Sequence, residues 1–167
     1  MEKEITLNDI FDEYKDSVPV PILEIADKLD IKVFETESLD DSESGLIRKE
    51  GNQYVIYVNA NHSSTRKRFT IAHEIIHFLL HKSIINDDYV TQNRQPVMRK
   101  EEAEKEEERV MMEIIANKNA AKLLMPRDKF IYIWNKSKSI EEVANIFNVS
   151  PAAAAIRGSK LLDQIIM

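Results

Sequence analysis

The sequence predicts an α+β fold that is mostly helical and carries a small three-stranded antiparallel sheet. Apolar residues recur at helical spacing in several segments, and three short candidate strands lie between residues 31 and 59, the first with alternating apolar and polar residues and the last rich in valine, isoleucine and tyrosine. A glycine turn separates the last two of these strands. At 167 residues the chain has the length of one domain with at most a small appendage.

The N-terminal part predicts two short helices followed by the sheet. The helices cover residues 4–16 and 20–29, and Pro21 lies in the first turn of the second one. Glu50-Gly51-Asn52 predicts a hairpin turn between the last two strands. The three predicted strands follow one another as a meander and run over Ile31–Glu35, Gly45–Lys49 and Gln53–Asn59.

The next predicted helix, residues 64–82, contains the motif HEIIH. His73 and His77 are four residues apart, so in a helix their side chains lie one turn apart on the same face and can bind one metal ion. Glu74 lies between them on the neighbouring flank, where it can reach a water molecule. This arrangement is typical of zinc hydrolases, with the glutamate as general base.

The residues around this motif favour a metal site over a chance match. The segment FTIAHEIIHFLLH is apolar on almost every side, which predicts a buried helix. Each buried polar group without a partner costs about 1 to 3 kcal/mol, so a buried His-Glu-His set needs one. A metal ion provides that partner.

Composition limits the remaining possibilities. The chain has no cysteine, so a zinc site has to use histidine and carboxylate ligands. The net charge of −6 argues against general electrostatic binding to nucleic acid. The acidic N-terminus does not resemble a secretory signal, and no run approaches the roughly 20 apolar residues of a membrane span. We therefore expect a cytoplasmic protein without a membrane partner.

A catalytic zinc ion needs a third protein ligand. Glu113 is the leading candidate because it is a lone acid within the apolar helical run VMMEIIANKNAAKLLM. Glu106 and Glu107, about two turns earlier, are the alternatives. Asn117 follows Glu113 by four residues and is predicted to hydrogen-bond the outer ring nitrogen of a ligand histidine. His62, in the loop before the central helix, is interpreted as an exposed loop histidine.

The C-terminal part predicts helices only. A polar loop over residues 83–97 is followed by a long helix from about Met98 to Pro126. The tail predicts a helix-turn-helix-like unit, with a helix over 140–147 and a second one starting at Pro151. We divide the chain into a domain over 1–136 and an extension over 137–167 packed on it. The second helix of this extension has few basic residues, which disfavours direct DNA binding.

The segments RKRFTIAHEIIHFLLH, E-x-x-x-N and ANKNAAKLLMP, taken together, resemble the ImmA/IrrE family of metallopeptidases. VPVPILEIADKLDIKVFE and QYVIYVN extend the resemblance to about residues 18–162. The resemblance implies a zincin-like fold, with His73, His77 and Glu113 as zinc ligands and Glu74 as catalytic base.

Two functions follow as expectations. The first is a zinc-dependent intracellular endopeptidase that cleaves a regulatory protein, which the resemblance implies is a helix-turn-helix repressor of a mobile element or stress response. The alternative is a module that binds a repressor or antitoxin-like protein with weak, conditional or no proteolysis. The sequence defines neither the substrate nor the oligomeric state.

Overall fold

The structure, a computed structural model, describes residues 4–85 and 100–166. Within these two ranges the chain forms seven α-helices, a 3-10 helix over Lys82–Ile84 and one three-stranded sheet. The mostly helical α+β class is therefore confirmed. The α-helices are α1 (Leu7–Tyr14), α2 (Ile22–Lys28), α3 (Ser64–His81), α4 (Lys100–Leu124), α5 (Arg127–Ser137), α6 (Ile140–Phe147) and α7 (Pro151–Ile166).

The sheet differs from the predicted meander. Its strands are β1 (Ile31–Thr36), β2 (Gly45–Glu50) and β3 (Gln53–Asn59), in the order β1-β3-β2. β2 and β3 form the predicted antiparallel hairpin, with Gly51 at a φ of 61° in its turn. β1, however, pairs with β3 in parallel, so the prediction of a purely antiparallel sheet is wrong. The sheet is mixed.

The apolar character of β3 explains this order. Its residues Val55, Ile56 and Val58 are buried, whereas most of β1 is at least partly exposed, and a strand buried on both faces belongs in the centre of a sheet. The chain then has to pass from β1 to the far side of β3. Asn59, fully buried at the end of β3, holds this crossing segment by donating hydrogen bonds to the carbonyl oxygens of Asp40 and Glu43, each at 3.0 Å.

Helix α3 lies at the centre of the core. Ser63 caps it by accepting a hydrogen bond from the backbone N–H of Arg66. The helix packs against the sheet on one side and against α4 on another. The buried apolar side chains of α3 are Ile71, Ala72, Ile75, Ile76 and Phe78. The helix predicted over residues 64–82 is therefore confirmed to within one residue.

The C-terminal helices contact the end of α4. Arg157 of α7 is 9% exposed, and its Nε donates a hydrogen bond to the carbonyl oxygen of Met125 at 3.2 Å. Asn148, with a φ of 54°, ends α6, and Ser150 then caps α7 through the backbone N–H of Ala153. The division of the chain at residues 136 and 137 remains a prediction.

Two sequence predictions lie mainly outside the described residues. Of the polar loop over 83–97, only residues 83–85 are described, and Met98, the predicted start of the long helix, is not. In the described ranges, no helix has both the length and the apolar composition needed to cross a membrane.

The close approach of β2 to α3 generates a stability prediction. A Cβ at Gly45 would lie 2.5 Å from Thr70 Cγ2 and 2.6 Å from the carbonyl oxygen of Tyr57. Gly45→Ala should therefore lower the free energy of unfolding by about 1 to 3 kcal/mol, measured by urea unfolding of the metal-free protein. Gly51→Asn is the control, because its site has open space and asparagine tolerates positive φ, so we expect about 0.5 kcal/mol or less. Equal losses in both variants would contradict this interpretation.

Candidate metal centre

The two histidines of the HEIIH motif converge on one point at the contact between α3 and α4. Their spacing of four residues places the rings on the same face of α3, and the two Nε2 atoms are 2.9 Å apart. The His77 side chain is fully buried, and that of His73 is 12% exposed. The site is therefore closed to solvent at His77 and more accessible at His73.

Glu113 of α4 completes the group. Its Oε2 lies 3.0 Å from His73 Nε2, and its Oε1 lies 3.0 Å from His77 Nε2, so the carboxylate spans both rings. The three side chains form the one group of at least three histidine, aspartate or glutamate residues in the described ranges whose donor atoms all lie within 4.8 Å of one another. Neither Glu106 nor Glu107, the alternatives from the sequence, belongs to it. Glu106 instead pairs with Arg109 at 3.4 Å.

The surroundings of Glu113 are more open than the apolar run around it predicts. Its side chain is 37% exposed, and its neighbours Val110 and Ile114 are 49% and 53% exposed. The apolar run around it is thus not uniformly buried. Glu113 lies at the boundary between the face of α4 that packs on α3 and the face that is exposed. Its carboxylate therefore reaches the two histidines from the solvent-accessible side of the site.

The outer nitrogens of both histidines also have partners. His73 Nδ1 lies 3.0 Å from Asn117 Oδ1, which is the contact predicted for Asn117. His77 Nδ1 lies 3.3 Å from Nδ1 of His81, at the last position of α3. Our sequence interpretation did not include His81. Its position on the same face of α3 could have been predicted from its spacing, because it follows His77 by the same four residues that separate His77 from His73.

The charges in the group are strongly coupled. Burial acts against a low pKa for Glu113, but its hydrogen bonds with His73 and His77 hold that pKa well below its usual range. Burial likewise opposes charge on His73, yet the contact with Glu113 and the charge of Glu74 raise its pKa above the ordinary value. Burial and the neighbouring His77 lower the pKa of His81.

The donor atoms fit a metal cation. An amide oxygen only accepts hydrogen bonds, so Asn117 Oδ1 favours a proton on His73 Nδ1, and the neutral ring then has its lone pair on Nε2. In that form the lone pair faces the Nε2 atom of His77 and a carboxylate, which is an electrostatically unfavourable arrangement unless a proton or a metal cation lies between them. Two imidazole nitrogens and one carboxylate are a usual protein ligand set of catalytic zinc.

Glu74 and His62 occupy different environments. Glu74 lies directly after His73 in α3, is 2% exposed, and is near enough for its charge to raise the pKa of His73. His62 is not part of the metal-facing group. Its Nε2 instead lies 3.1 Å from the carbonyl oxygen of Asp41, in the segment that crosses from β1 to β2.

A family model matches most of the chain, including the residues of this group. The model of the IrrE N-terminal-like domain of M78 peptidases matches residues 26–159, which include His73, His77 and Glu113. The chain belongs to this family. The resemblance identified from the sequence is thereby confirmed, and for an IrrE N-terminal-like domain a group of residues positioned to bind a metal ion is consistent with a metallopeptidase.

The fold is also similar to that of a solved structure. A Mycobacterium tuberculosis transcriptional regulator aligns with a TM-score of 0.56 and 18% sequence identity. The match covers 89% of this chain and 44% of that chain, so this chain spans less than half the length of the regulator. At this identity the likeness concerns the fold alone. A comparison with curated proteins gave no match.

The position of Glu113 generates a prediction about metal binding. Glu113→Gln removes the anionic donor that spans both Nε2 atoms, so zinc affinity should fall by more than the 10- to 100-fold typical of outer-shell partners. Competition with a chromophoric chelator measures the dissociation constant. The matched control is Glu107→Gln, an exposed residue of the same helix, which should leave the affinity unchanged. Equal affinities for zinc in the two variants would rule out Glu113 as a ligand.

Proposed function

We propose that this IrrE N-terminal-like domain is a zinc-dependent peptidase that hydrolyses a peptide bond in a regulatory protein. The observation that carries the proposal is the convergence of His73, His77 and Glu113 on one point, with Glu74 next to His73. In this proposal the three converging residues bind zinc and Glu74 is the catalytic base. A cytoplasmic location remains a prediction.

The ligand set favours zinc. The sequence contains no thiolate donor, and two imidazoles with one carboxylate match a common set of catalytic zinc ligands. When bound, zinc acts as a Lewis acid that polarises a carbonyl group and makes a water molecule easier to deprotonate. The partly exposed side of Glu113 leaves this region open to a substrate.

Glu74 performs the proton transfers in this proposal. Its carboxylate accepts a proton as the water oxygen bonds to the carbonyl carbon, and it then donates that proton to the amide nitrogen as the C–N bond breaks. The position of Glu74 in the middle of a packed helix restricts its side chain, so little ordering is required at the moment of reaction. Asn117 holds the ring of His73 and takes no proton itself.

The surface next to the site suits a peptide or protein substrate. Val110, Met111 and Ile114 of α4 are 49%, 55% and 53% exposed and lie beside Glu113 in the helix. Clustered exposed apolar side chains are typical of protein-binding surfaces. The resemblance found in the sequence implies a helix-turn-helix repressor as the substrate, and we retain that class.

Direct DNA binding by α7 is not part of the proposal. The sequence offered Arg157 and Lys160 as its basic residues. Arg157 is buried and donates to the end of α4, so of these two only Lys160 is exposed to contact phosphate.

The mechanistic test uses Glu74→Gln. This variant should keep one zinc per chain while cleavage of a co-purified helix-turn-helix repressor falls by about 100-fold or more, because the general base is lost. Zinc is measured by elemental analysis, and cleavage by mass spectrometry of the products. Glu107→Gln, made in the same way, should cleave at the rate of the unmodified protein. Undiminished cleavage by the Glu74→Gln protein would exclude Glu74 as the base.

The same experiment distinguishes the peptidase from the alternative function, a protein-binding module. If the unmodified protein at full zinc occupancy forms a stable complex with the repressor and yields no product, the domain is a binding module. Product formation that requires both zinc and Glu74 identifies it as a peptidase.

A further inference from the structure

His81 contacts a member of the metal-facing group without belonging to it. It lies at the end of α3, four residues after His77, so the two rings occupy the same face of the helix. Their Nδ1 atoms are 3.3 Å apart, and their ring centroids are 5.5 Å apart. The contact involves the nitrogen of His77 that points away from His73 and Glu113.

The direction of this hydrogen bond follows from the position of His77. Its Nε2 faces His73 and Glu113, and it can bind a metal only through an unprotonated Nε2. The ring proton of neutral His77 must then be on Nδ1, which donates toward His81. His81 Nδ1 has to be the acceptor, and His81 therefore carries its own proton on Nε2.

Burial makes this acceptor especially important for His77. The His77 side chain is fully buried, so bulk water does not replace a missing partner at Nδ1. Loss of the acceptor would leave a buried N–H group unpaired, at a cost that favours another tautomer or ring position. The equivalent partner of His73, Asn117, lies in an exposed position where water has access.

We propose that His81 is a positioning residue for the metal site. By accepting the Nδ1–H of His77, it holds this ring in the tautomer and orientation that present Nε2 to the metal. The inference rests on the proposed function, since it requires His77 to be a metal ligand. The H-x-x-x-H-x-x-x-H spacing of α3 thus contains two metal ligands, His73 and His77, followed by His81, which orients the second ligand.

The experiment compares two substitutions that differ in where they place an acceptor. In His81→Asn the side-chain oxygen can occupy the position of Nδ1, whereas in His81→Gln it reaches toward the position of Nε2. The zinc dissociation constant of each full-length variant is measured with a chromophoric chelator. His81→Gln should weaken zinc binding by about 10- to 100-fold, the range typical of outer-shell partners, and His81→Asn should retain most of the affinity.

The control is the same pair of substitutions at His62, whose ring contacts a backbone carbonyl outside the group. Both His62 variants should bind zinc as the unmodified protein does. Thermal unfolding with and without zinc provides a second measurement. A positioning role predicts that the His81→Gln protein without zinc unfolds near the temperature of the unmodified protein, while the increase in that temperature on adding zinc becomes smaller.

The outcomes distinguish the role of His81 from the proposed function. Equal zinc affinities in the Asn, Gln and unmodified proteins would overturn the role of His81 and leave the proposed function intact. If the unfolding temperatures of His81→Gln with and without zinc fall by the same amount while its zinc affinity is unchanged, His81 only contributes packing. This result would also overturn the positioning role. Absence of zinc binding by the unmodified protein would instead contradict the proposed function itself.

Discussion

The contact of the Glu113 carboxylate with both imidazoles joins the two longest helices at the point where the chemistry is proposed to occur. One oxygen approaches each Nε2 atom at 3.0 Å, so the position of α4 relative to α3 determines whether the three donors converge. The sheet packs on another side of α3, and the small side chains Ala116 and Ala120 of α4 are fully buried. The packing of α4 on α3 therefore fixes the positions from which the three side chains meet.

The site was predictable from the sequence to the extent that it is local. His73 and His77 follow from a spacing of four residues in one helix, and Asn117 follows from the same spacing relative to Glu113. The prediction of Glu113 rests on its position as a lone acid in an apolar run, which implies burial, whereas its side chain is 37% exposed. Glu113 nevertheless lies against both histidines. Its exposure could not be predicted, because apolar composition does not specify which face of α4 is covered.

Features that depend on long-range packing were harder to predict from the sequence. The positions of the three strands could be read from local composition, but their neighbours could not, because β3 enters the sheet between two strands that precede it. The signal for this order is the apolar character of β3 together with Asn59, whose buried amide anchors the crossing segment. His81 was missed for another reason. Its spacing was visible, but only the structure shows that its Nδ1 contacts Nδ1 of His77 and that it lies outside the metal-facing group.

The central claim is that these residues bind one metal ion, and anomalous X-ray diffraction tests it most directly. Data collected on both sides of the zinc absorption edge, from crystals of the zinc-loaded protein, locate zinc independently of any assumed ligand. We predict one strong anomalous peak per chain, adjacent to Nε2 of His73, Nε2 of His77 and the carboxylate of Glu113. A peak elsewhere on the chain, or a zinc ion bound by the histidines with Glu113 turned away, would contradict the account.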